Sequence, residues 1–175
     1  ATKNSLLFIS MLGEKNHFNP DHFGNLCSSG QEKDWIVDWF GSMAQEMGFS
    51  LFGVDICRGD TLPVVDDVGC VILGGTMHVV TEDRPWLHSL YTWLRHYRNT
   101  AKPLLGICGG HQLVTTQLER GKLQNRANGM LAGTYEIELT KLGYRHPLFN
   151  DLPKNPRFHF ANYLHVVPSE AQKAK

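Results

Sequence analysis

Four short apolar runs divide the first part of the chain: LLFI at 6–9, LFGVDI at 51–56, CVIL at 70–73 and PLLGI at 103–107. Continuous apolar runs of this length predict strands buried on both faces. Between them, apolar residues recur at helical spacing. Trp35, Ile36, Trp39, Phe40, Met43 and Met47 form one such set, closed by Gly48, and the spacing predicts a helix whose aromatic stripe packs into the core. Pro85 suits the first turn of a second helix, with Trp86, Leu87, Leu90, Trp93, Leu94 and Tyr97 as its buried face. A third begins near Gly109 and buries Leu113, Val114 and Leu118. Strands alternating with helices predict an α/β fold: a mostly parallel sheet with helices on both faces.

Two regions depart from this rhythm. After the first run, a polar stretch containing Gly13, Pro20, Gly24 and Gly30 reads as a long loop. Past residue 130 the pattern changes period. TYEIELT at 134–140 alternates strictly, with Tyr135, Ile137 and Leu139 on one side and Glu136 and Glu138 on the other. That is a half-exposed strand of an antiparallel annex. HPLF at 146–149 reads as a turn or short helix, and RFHFANYLHVV at 157–167 as one last strand-like segment. No repeat or linker interrupts the 175 residues, so residues 1–175 read as a single domain.

Charge and composition exclude several functions. Seventeen basic and seventeen acidic residues give a formal net charge of zero, which offers no long-range pull on nucleic acid or an anionic membrane. No apolar run approaches the ~18 residues of a membrane span, and the first ten residues lack the pattern of a secretory signal. Cys27, Cys57, Cys70 and Cys108 form no C-x-x-C pair, which argues against a structural zinc site, and two of them lie in strand-like segments, which favours reduced thiols and a cytoplasmic setting. His17 and His22 share the first loop, and His88 and His96 share a helix. Neither pair has a companion carboxylate or cysteine pattern, so neither a metal nor a cofactor is expected.

Chemistry concentrates at GICGGHQ, residues 106–112. Cys108 falls where a strand ends and a helix begins, and ligands of parallel α/β sheets collect at such carboxyl ends. Gly106 and Gly110 frame it as G-x-C-x-G, the cysteine counterpart of the G-x-S-x-G nucleophile elbow. Small neighbours are needed because the turn is tight. The helix N-terminus favours thiolate, the reactive form, and the amide of Gly109 is placed to bind an oxyanion. One strand earlier, ILGGT at 72–76 ends in Gly74 and Gly75, and this pair can supply the second oxyanion donor. Cys57 and Cys70 lie in strand-like surroundings and read as packing residues.

PLLGICGGHQLV resembles the signature of class I glutamine amidotransferase domains, and GCVILGGT is similar to their oxyanion strand and loop. GTYEIELT, HPLFNDLP and FHFANYLHVVP follow in that family's order. The resemblance implies a flavodoxin-like sheet with a small antiparallel annex. It implies hydrolysis of the glutamine side-chain amide through a cysteinyl thioester, releasing ammonia, without a cofactor. By position, Cys108 is the nucleophile, Gly75 and Gly109 donate to the oxyanion, and Gly74 and Gln112 hold the substrate. The backbone of Phe160 and Ala161 touches its amino-acid end. Such domains feed ammonia to a synthetase, so the resemblance implies either a separate synthetase subunit as partner or a stand-alone hydrolase.

One element of the family pattern is missing. The base there is a histidine in a late F-H-P-E-like motif, and no H-x-E follows Cys108 in these 175 residues. His146 sits in a turn context, His111 inside the elbow helix, and His159 and His165 in the last strand-like segment, so packing or surface roles are expected for them. The expectation is that the base and one further strand–turn unit lie beyond Lys175. Three other readings use the same residues. A γ-glutamyl hydrolase or peptidase would use the same elbow on γ-glutamyl compounds, a binding or regulatory module would keep the fold without turnover, and a redox sensor would leave Gly75 and Gln112 without a purpose.

Overall fold

A computed structural model of the chain describes residues 4–14 and 20–170. His17 lies outside the described residues. The chain divides into two compact units, one of residues 1–122 with 168–175 and one of residues 123–167.

The first unit is built on four parallel strands: β1 (Ser5–Met11), β2 (Ser50–Asp55), β3 (Cys70–Thr76) and β4 (Leu104–Gly106), in the order β2-β1-β3-β4. This is the start of the flavodoxin-like 2-1-3-4-5 order. In central β1, the successive residues Leu7, Phe8, Ile9, Ser10 and Met11 are all buried. Successive side chains point to opposite faces, so both faces of the sheet are covered there. Among the described residues, four α-helices accompany the strands: α1 (Pro20–Gly24), α2 (Glu32–Glu46), α3 (Pro85–Arg98) and α4 (Gly109–Leu113). Short α1 lies inside the stretch read from sequence as loop. Among the described residues, no helix is long and apolar enough to cross a membrane.

The face of α3 is the one predicted. Leu87, Leu90, Leu94 and Tyr97 are fully buried, and the Trp93 indole donates to Pro63 O at 2.7 Å. The stripe of α2 is so only in part: Trp35, Ile36 and Phe40 are half-buried. Trp39, Met43 and Met47 are 61, 57 and 70 % exposed. The helix meets β2 along another side, where a Cβ on Gly53 would stand 2.7 Å from the Lys33 Cβ, and Ala44 is its buried residue. The aromatic rings lie tilted against one another along the helix instead, Trp35 on Trp39 at 5.1 Å and Trp39 on Phe40 at 4.8 Å between centroids. Lys33, Phe40 and Ala44 recur at i, i+7, i+11 and Trp39, Met43 and Met47 at i, i+4, i+8; both are helical spacings, so periodicity could not say which row faces the sheet.

Strand β4 also departs from the doubly covered strand predicted. It stands last in the strand order, and Leu105 and the adjoining Ile107 are 37 and 50 % exposed.

The second unit contains the antiparallel pair expected of the annex. Strand β5 (Lys122–Asn125) pairs with β8 (Leu164–Val167), and β6 (Leu131–Glu136) pairs antiparallel with β7 (Arg157–Asn162). The 134–140 strand therefore begins and ends earlier, with Ile137 N donating to Pro156 O at 2.9 Å beyond its end. The 157–167 segment is two strands in two sheets, separated at Tyr163. His146 caps the short helical turn Pro147–Phe149, its Nδ1 accepting from Leu148 N at 3.2 Å, as the turn reading of HPLF predicted.

Candidate functional site

Cys108 has φ 53° and ψ −110°, a left-handed conformation that costs a side-chain-bearing residue about 1–3 kcal/mol. The strain is imposed from both sides. Ile107 N donates to Leu73 O at 2.9 Å and holds the chain on β3 up to the turn, and Gln112 N donates to Cys108 O at 3.0 Å and starts the helix just after it.

The flanking glycines are required by contact. A Cβ on Gly106 would stand 2.6 Å from the carbonyl of Gly110, one on Gly110 2.5 Å from Leu73 O, and one on Gly109 2.8 Å from Thr76 N. Backbone therefore packs on backbone across β3, β4 and α4. Past Leu113 the helix continues as a π-turn, Val114–Leu118. The Thr116 hydroxyl donates to Gln112 O at 2.9 Å there.

Gly75 comes to the sulfur through an irregularity in β3. The pairing with β1 runs Ile9↔Leu73 and then Met11↔Thr76, so β3 spends one more residue than β1 over that interval. This bulge holds Gly74 and Gly75, and bulges re-aim the backbone next to active sites. The β3–β4 ladder has already ended at Leu73↔Gly106. A Cβ on Gly75 would lie 3.7 Å from the Cys108 Cβ and 3.9 Å from its Sγ. Cys108, Gly74, Gly75, Gly109 and Gln112 are thus gathered in the first unit. Phe160 and Ala161 lie in β7 of the second unit, opposite Gly133 and Ala132, with the Phe160 ring 5.9 Å from that of Tyr135.

All four cysteines are free, and Cys108 is the exposed one. Burial, reinforced by the Asp55 and Glu14 carboxylates, pushes the Cys57 thiol up to about 12. Burial raises Cys70 as well. Cys27 Sγ lies 3.4 Å from Gln31 O. Near neutral pH, Cys57 and Cys70 are therefore poor sources of thiolate.

Three histidines beyond Cys108 have structural surroundings. His146 caps its turn, His159 Nδ1 lies 2.7 Å from Thr134 Oγ1 across β6 and β7, and burial lowers His111. Among the described residues, no group of three His, Cys, Asp or Glu side chains could hold a metal ion.

Sequence reasoning missed a polar cluster where β1 and β3 leave the sheet. Glu14, His78, Glu82, Arg84 and Trp86 meet there. Its central contact joins residues 70 positions apart, and no local pattern announces it.

The glutamine amidotransferase class-I family model matches residues 51–172, which contain both β3 and the elbow. The chain belongs to the class-I glutamine amidotransferase family. The imidazole glycerol phosphate synthase subunit HisH of Methanosarcina barkeri is 28 % identical over 86 residues, covering 42 % of this chain and 42 % of that protein. A glutamine amidotransferase of Thermotoga maritima superposes with a TM-score of 0.71 at 20 % identity, over 97 % of this chain and 65 % of its own. The PurLQS structure from the same organism gives 0.56 at 16 %, over 97 % and 71 %. These structural likenesses speak for the amidotransferase fold. The chain spans less than two thirds of the HisH subunit and of the first of the two structures.

Proposed function

We infer that this amidotransferase domain hydrolyses the side-chain amide of glutamine at Cys108, taking both compact units as parts of one catalytic domain. The observation that carries the reading is the strained elbow at Cys108 beside the Gly75 bulge. The Cys108 thiolate adds to the γ-carbonyl carbon, and the carbonyl oxygen becomes an oxyanion. The Gly75 and Gly109 amides donate to it. The C–N bond then breaks and ammonia leaves with the proton that the Cys108 thiol gave up, giving a γ-glutamyl thioester. Water cleaves the thioester, returning the thiol and releasing glutamate. Gly74 and Gln112 hold the substrate near the γ-carbonyl. The ammonia passes to a synthetase on a separate subunit, a reading supported by the HisH relative, itself named as a synthase subunit.

Ammonia release from glutamine tests this, with γ-glutamyl peptides as competing substrates. Glutamine turnover that disappears in Cys108→Ala supports the reading. Preferential cleavage of the peptides would make the protein a γ-glutamyl hydrolase. Turnover that survives in Cys108→Ala would remove the cysteine from the chemistry.

A further inference from the structure

The loop that leaves β3, residues 77–84, supplies no group to the chemistry above, yet one carboxylate grips it from β1. Glu14 follows that strand. Its Oε1 accepts from Arg84 Nη1 at 2.7 Å, and its Oε2 accepts from the Trp86 indole at 2.9 Å. The same Oε2 lies 2.9 Å from His78 Nε2. Glu82 completes the ring. Its Oε2 accepts from Arg84 Nε at 2.6 Å and lies 3.5 Å from His78 Nδ1. Its Oε1 accepts from Val79 N at 3.1 Å. The Tyr91 hydroxyl pins the loop from α3 by donating to Val80 O. The His78 side chain is 3 % exposed.

This ring is coupled to the site by short links. His78 N donates to Thr76 Oγ1 at 3.2 Å. Thr76 pairs with Met11 and stands against Gly109, and Gly75 precedes it in the bulge. A displacement of His78 therefore reaches the Gly75 amide through two residues of backbone. Networks of charged groups add little stability compared with apolar packing of the same volume; this one ties the loop after β3 to Glu14, which follows β1. An oxyanion donor needs a fixed geometry, because its value depends on where it points before the charge develops.

We propose that Glu14 is a positioning residue: it holds His78, Arg84 and Trp86 so that the Gly75 amide stays aimed at the oxyanion formed at Cys108. The proposal rests on the reading of Gly75 as an oxyanion donor.

Two reagents separate positioning from general reactivity. Iodoacetamide alkylates Cys108 by direct displacement of iodide and builds no oxyanion. A glutamine-derived chloromethyl ketone first receives the thiolate at its carbonyl carbon, giving a tetrahedral alkoxide; the sulfur then moves to the adjacent methylene and expels chloride, its bond to the carbonyl carbon breaking as the C=O re-forms. The ratio of the two second-order rates at Cys108 is the readout. Glu14→Ala is expected to lower the chloroketone rate about tenfold or more, a fraction of the 10²–10³ lost with a whole donor, while the iodoacetamide rate is unchanged. Trp86→Phe keeps the aromatic bulk, removes one donor to Glu14, and is expected to lower the ratio less. If Glu14→Ala does not fold, Trp86→Phe and Arg84→Gln decide. Ratios equal to the parent's in the folded variants overturn the positioning role. A parent protein with no preference for the chloroketone overturns the oxyanion reading beneath it.

Discussion

Replacing Gly110 by alanine drives a methyl group into the backbone of β3. The new Cβ would stand 2.5 Å from Leu73 O, 2.6 Å from Leu73 Cβ and 2.9 Å from Gly74 O. Non-bonded heavy atoms prefer separations near 3.5–4.0 Å, so α4 and β3 must part by about 1 Å. No side-chain rotation relieves this, because two of the three atoms are backbone carbonyl oxygens. Leu73 O also accepts from Ile107 N, so the strain reaches the strand leading to Cys108. Overpacking costs about 1–3 kcal/mol, and a backbone clash belongs at the upper end. At ~2–4 °C per kcal/mol for a chain of this size, melting should fall by roughly 6–12 °C. Circular dichroism melts of Gly110→Ala and the parent make the comparison. Equal melting temperatures would refute the account of a backbone-on-backbone elbow.

Three further substitutions probe other parts of the argument. Gly41 lies inside α2 with open space around its Cβ position, so Gly41→Ala should stabilise by about 0.5–1 kcal/mol; a lower melting temperature would contradict the placement of that face. Gly75→Ala puts a Cβ at ordinary contact distance from Cys108, so the fold should persist while reaction with the chloroketone falls more than reaction with iodoacetamide; equal effects on both reagents would count against the oxyanion role. Burial raises Glu32 to about 7, despite the 2.7 Å hydrogen bond from Ser10. A carboxyl raised on folding keeps its proton longer in the folded state, so stability is lost as pH climbs from about 4.5 through 7. Glu32→Gln should therefore gain on the parent across that window, by on the order of 1–3 kcal/mol above it; a melting difference that does not vary with pH would be evidence against the burial.

The parallel core was legible because local chemistry and global packing agree there. LLFI and CVIL are strands, and Pro85 opens α3 as its ring allows; PLLGI contributes β4, a strand but not the doubly covered one predicted. G-x-C-x-G was legible as an elbow because each glycine answers a contact at its own position. Legibility ended where a contact depends on partners distant in sequence. The two rows of α2 share one helical periodicity, and only the packing against β2 selects between them. The bulge at Gly74–Gly75 is a mismatch between two strands, invisible in either alone. The break at Tyr163 separates residues that pair with different strands, β6 and β5, although their pattern runs on without interruption. Glu14 and Arg84 meet across 70 positions.

The central claim is that Cys108 carries the acyl group during amide cleavage. Rapid acid quenching of the protein with glutamine, followed by intact-mass measurement and peptide mapping, reads this intermediate directly. The account predicts a mass gain of one γ-glutamyl group, located on Cys108 and absent in Cys108→Ala. Ammonia release from glutamine with no acyl group on Cys108, or an acyl group mapped to Cys27, Cys57 or Cys70, would contradict it.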